Sequence, residues 1–131
     1  MAVTVADPTA ASWTPPNIWA SIRALIASLV PTLFAADGAV NPYIASTNFI
    51  TKAGSALLTL AAPIATTQDG NIIRINSTTA YAHVLSAIGL LQTGTAFVNY
   101  VNFNAYPGAS VTLQAYQGKW IVIASNQVTF Q

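Results

Sequence analysis

In the stretch "DGNIIRINSTTAYAHVLSA", residues 69–87, apolar side chains recur at every second position, the period of an extended chain. Successive side chains of a strand point to opposite faces, so Ile73 and Ile75 share one face while Ile72 shares the other with Arg74. Asp69-Gly70 ahead of this run predicts a hairpin, because a type I′ turn needs positive φ at both central residues and Asp and Gly accept it at low cost. A second β-prone run, 81–85, follows the polar Ser77-Thr78-Thr79.

The same reading extends in both directions. Strands are predicted at 48–52, 55–61, 72–76, 81–85, 95–103, 110–117, 119–125 and 127–130, all rich in β-branched and aromatic residues. Ala53-Gly54, Gly89, Gly94, Pro107-Gly108 and Gln117-Gly118 supply turns between them. No βαβ alternation is visible, so the expectation is a mainly β fold: an antiparallel sandwich, jelly-roll or barrel-like domain of about seven or eight strands. Several strands are apolar on both sides. In 119–125, Trp120, Val122 and Ala124 oppose Ile121 and Ile123, which predicts a second covering layer, either the helix described next or a sister chain.

Before residue 42 the period is helical. Thr14 is a plausible N-cap and Pro15 a suitable first helical residue, since its missing N–H would be unpaired there anyway. Ile18, Trp19, Ile22, Leu25, Ile26, Leu29 and Val30 form an apolar stripe that stops at Pro31. The expected organisation is an N-terminal arm and one amphipathic helix over 1–41 and a β domain over 42–131. The helix is too short to span a bilayer, which needs about 20 apolar residues, and its polar face lacks the several Lys or Arg of a membrane-surface helix.

Charged residues make up 5% of the chain and hydrophobic residues 53%, with a net charge of +1. Such a chain has no basic field for nucleic acid and little charge to keep separate copies apart. It contains no Cys and no Glu, and its three carboxylates, Asp7, Asp37 and Asp69, precede Pro or Gly in turn-forming contexts. A single histidine, His83, excludes a multi-histidine metal site. These residues point to no enzyme, no cofactor and no bound metal. His83 reads as a hydrogen-bonded strand residue, or as a ring at a threefold axis if three copies meet there. Tyr43, Tyr81, Tyr100, Tyr106, Tyr116 and Trp120 are candidates for stacking on sugars, although packing is the commoner use of such side chains.

The runs "ITKAGSALLTLAAPIATTQDGNIIRINSTTAYAHVLSA" and "YPGASVTLQAYQGKWIVIASNQVT" together resemble a module of tailed-bacteriophage virion proteins, among them capsid decoration (cement) and fibre components. The resemblance covers about residues 48–128. It implies a β-rich, homotrimeric structural protein on the capsid surface, with a structural role for Gly54, Asp69, Gly70, His83, Gly118 and Trp120 and no catalytic residue. The expected partners are the major capsid protein or another virion protein and further copies of the chain itself, with no nucleic acid and no membrane. Trp13, Trp19, Ile22, Ile26, Leu29 and Trp120 are the candidate interface residues, and His83 the candidate threefold-axis residue. The alternative role is a phage fibre or receptor-binding component contacting host-surface glycan.

Overall fold

A computed structural model describes residues 15–131, which divide into two compact units at Val30/Pro31. The first contains α1 (Pro15–Leu29). Pro15 opens this helix as expected, while Trp13, Thr14 and Asp7 lie outside the described residues.

The second unit is built from β1 (Thr32–Phe34), β2 (Gly38–Val40), β3 (Ser46–Ile50), β4 (Leu57–Leu60), β5 (Ile72–Ser77), β6 (His83–Thr93), β7 (Ala96–Phe103), β8 (Ser110–Tyr116), β9 (Lys119–Asn126) and β10 (Val128–Phe130). All eight predicted strands are present. β1 and β2 are additional, so the segment 32–40, grouped with the arm on sequence grounds, belongs to the β unit.

The strands follow the order β1-β3-β5-β8-β9-β6-β4-β2, with β7 on β6 and β10 on β7, in a nearly closed, barrel-like sheet. The mainly β, barrel- or sandwich-like class is therefore as expected, but the pairing is mixed. β5–β8, β8–β9, β6–β7 and β7–β10 are antiparallel, whereas β1–β3–β5 and β2–β4–β6 form two parallel ladders. Parallel neighbours need a long crossover, commonly a helix. Here the crossover is a strand of the other ladder: the chain passes from β1 to β2, returns to β3, passes to β4, returns to β5 and passes again to β6. Thr32, Asn48 and Ile75 thus stack in register on one side, and Gly38, Leu58 and Leu85 on the other.

The core lies between these layers. Ile50, Ile73, Ile75, Val111 and Leu113 face Leu58, Leu60, Leu85, Val101 and Phe103, all buried. β6 and β9 join the layers where Leu91 pairs with Trp120. Lys119 reinforces that seam: its Nζ donates to the Gly89 carbonyl at 3.0 Å and lies 4.8 Å from the centre of the Phe97 ring. At the far end, Gln127, with φ of 54°, turns the chain from β9 into β10, which joins the other layer beside β7. Strands that switch layers through a bend make the corners of such folds.

Two departures from simple alternation are resolved by bulges. Ser86 pairs with Tyr100 and Leu91 with Val98, so β6 and β7 lose register between them at Gly89, whose φ is 65°. Gly89 is therefore a bulge inside β6 rather than a turn, and Val98 packs against the core while Phe97 is exposed. Likewise Leu113 pairs with Val122 and Thr112 with Ala124, which leaves Ile123 as the extra residue, exposed to solvent.

The Asp69-Gly70 pair is not the hairpin turn expected of it, because β4 and β5 are not paired. The type I′ geometry occurs instead at Gln117-Gly118, with φ of 46° and 76°, joining β8 to β9. Asp69 supports that turn from a distance: Oδ1 accepts the Gln117 main-chain N–H at 2.8 Å and Oδ2 accepts Gln117 Nε2 at 2.7 Å.

Candidate interaction surface

Among the described residues, α1 carries a run of exposed apolar side chains. Trp19, Ile22, Ile26 and Leu29 follow one another at alternating intervals of three and four residues, the spacing that keeps side chains on a single seam. Trp19 is 57% exposed, Ile26 55% and Leu29 72%, with Ile22 half-buried between them. The side chain of Leu25 lies outside the described residues. Arg23 is exposed on this otherwise uncharged helix. A helix of this length is marginal in water by itself and draws most of its stability from packing of its apolar face. A displayed stripe of Trp, Ile and Leu suits contact with another apolar surface.

Among the described residues, the other two predicted contact residues, Trp120 and His83, are internal. Trp120 is fully buried, packed in the core row with Ala115 and Leu91, and its Nε1–H donates to the Ala61 carbonyl at 2.9 Å. It anchors the chain's own core and is not an interface residue. Its neighbours on the opposite face of β9 differ: Ile121 is half-buried and Ile123 exposed.

His83 is buried as well, 1% exposed, and so is not presented to a symmetry axis. Its Nδ1 accepts the Ala56 main-chain N–H at 3.1 Å, which leaves Nε2 to donate to Thr79 Oγ1 at 2.9 Å. Burial, aided by the positive charge of Lys52, holds the imidazole below its ordinary value of 6.5.

Asp37, like Asp69, serves the fold. Asp37 Oδ1 accepts Lys52 Nζ at 2.8 Å and the Leu57 N–H at 3.0 Å, tying the β1–β2 corner to the corner between β3 and β4. These bonds, that from Lys52 first, hold its pKa below the usual 3.8. Among the described residues no group of His, Asp or Glu could hold a metal ion, and no helix is long and apolar enough to cross a membrane.

Tyr43, Tyr81, Tyr100, Tyr106 and Tyr116 are all exposed. They do not share one patch. The Tyr43 carbonyl accepts Asn71 Nδ2 at 3.5 Å and the Asn71 carbonyl accepts the Ala115 N–H, which puts Tyr43 and Tyr116 beside the first residue of β5. Tyr106 belongs to the loop whose Gly108 N–H bonds Ser77, at the opposite end of the same strand.

The Asp37 and Asp69 clamps were visible in the sequence only as Asp-Gly pairs, with nothing to mark their partners. No protein-family model matches the chain, and no curated protein matches it in sequence.

Proposed function

We propose that this chain is a non-enzymatic structural protein of a virus particle, a capsid decoration protein that acts as a homotrimer. The observation that carries the reading is the exposed Trp19–Ile22–Ile26–Leu29 stripe, set in a unit of its own, while the described core residues all lie within 31–131. A body that satisfies its own core can stand on a shell, while an apolar helix face supplies the contacts to sister chains or capsid subunits. Burial of each such side chain contributes about 1.5–3 kcal/mol, and repetition over three chains multiplies it. The resemblance of residues 48–128 to phage virion modules, together with the very low charge, supports the same reading.

The test is binding to shells of the virus that encodes the chain, prepared without it, by the full chain and by residues 31–131. Binding by the full chain alone supports attachment through the helix. Equal binding by both removes the helix from the mechanism.

A second reading, a fibre component touching host-surface glycan, is favoured by the five exposed tyrosines. Retention of the chain on a glycan array, lost in Tyr→Ala variants, would select it. A copy number of hundreds per particle would select decoration.

A further inference from the structure

We propose that His83 is a pH-sensitive latch that holds the 51–56 corner of the β unit against the 78–82 corner, so that acid loosens this corner ahead of the rest of the fold. The inference rests on the β unit alone and stands apart from the virion reading.

Ala56 is held by its neighbour on both sides of its peptide group. Its N–H donates to His83 Nδ1 at 3.1 Å, and its carbonyl accepts the Val84 N–H at 2.9 Å. The ring's other nitrogen bonds Thr79 Oγ1 at 2.9 Å, and Thr79 is itself fixed by Ser77, whose Oγ donates to the Thr79 carbonyl at 3.0 Å. The neutral imidazole offers one acceptor and one donor, and both are used. A proton on Nδ1 converts the acceptor into a donor facing another donor, the Ala56 N–H. The latch then has no closed arrangement that keeps this bond.

The surroundings offer the imidazolium no compensation. From the 51–56 corner it meets Lys52, a like charge, whose Nζ is engaged with Asp37 at 2.8 Å. Asp37 Oδ1 also accepts the Leu57 N–H, and the charge that acts on the ring is that of Lys52. The strands on the other side bring Phe103, paired with His83, and Val128, paired with Phe103, neither of which titrates. The remaining charged residues of the β unit lie elsewhere: Asp69 is bonded to Gln117, Lys119 to Gly89, and Arg74 is exposed on the outer face of β5. An imidazolium is therefore relieved by opening the corner to water. Opening lets the ring take up one proton at its ordinary value near 6.5, so the closed form loses ground as pH falls below that value.

The experiment is residue-resolved amide hydrogen exchange on the full chain between pH 7.5 and 5, corrected for the intrinsic pH dependence of exchange. Protection of the Ala56 amide is expected to fall as pH drops below 6.5, by at most about tenfold per pH unit, the limiting slope of one proton taken up on opening. In His83→Asn, whose Oδ1 can accept the Ala56 N–H without titrating, that slope is expected to vanish. Constant protection at Ala56 in the unaltered chain, or the same slope in the variant, overturns the proposal. If the variant fails to fold, the ring nitrogen shifts of the unaltered chain decide: a neutral ring for as long as Ala56 stays protected supports the latch, and an imidazolium with Ala56 still protected overturns it.

Discussion

The Asp69 carboxylate holds Gln117 in a left-handed conformation, accepting its main-chain N–H at 2.8 Å and its side-chain amide at 2.7 Å. A residue with a Cβ pays for positive φ in steric strain, and two bonds to a carboxylate offset it. Asp69→Ala is expected to destabilise the β unit by about 1–2 kcal/mol, read as a lower urea midpoint with an unchanged slope. No shift in the midpoint would mean that the β8–β9 turn holds itself.

Trp120 belongs to the core, so its truncation acts on stability and not on association. Trp120→Ala is expected to cost about 3–5 kcal/mol in urea unfolding, through the cavity it leaves. The mass of the folded chain in solution should not change. Loss of association with little loss of stability would return Trp120 to an interface.

The Asp37–Lys52 pair gives a separate acid response. Because the folded-state value of Asp37 lies below 3.8, the unfolded chain takes up the proton first. Its contribution is therefore present above about pH 3.8 and lost as pH falls through the folded value. Stability measured against pH should fall more steeply below pH 4 in the unaltered chain than in Asp37→Asn. Parallel curves would show that the bonds to Lys52 and Leu57 contribute nothing.

How far the fold could be read from the sequence depended on local pattern. Most strands announced themselves through alternation and β-branched residues, and Pro15 marked the start of the helix, but the longest strand, β6, was read only at 81–85 because Gly89 looked like a turn. The parallel ladders were hidden for a physical reason. β1 and β2 are three residues each, below the length at which a period of two can be recognised, and the crossovers are strands rather than helices. The antiparallel expectation followed from the absence of a helical crossover, which this winding does not use. The site was less legible still: Trp120 and His83 carry no sequence mark that separates a core residue from a contact residue, and only the register of β9 with β6 and of β6 with β7 decides it. The stripe on α1 was read correctly as a pattern, because spacing alone defines a helix face.

The division at Val30/Pro31 predicts that residues 31–131 fold without the helix. Their unfolding should be cooperative, with a urea midpoint close to that of the full chain. A truncated chain that fails to unfold cooperatively would mean that the helix completes the β core.

The central claim, assembly through the helix, is tested most directly by the mass in solution from sedimentation equilibrium. The full chain is expected at three times its 13.7 kDa, and Ile26→Asp, which places a charge in the middle of the stripe, at one chain mass. A full chain that sediments as a monomer at all concentrations, or an Ile26→Asp trimer indistinguishable from the original, would contradict the account.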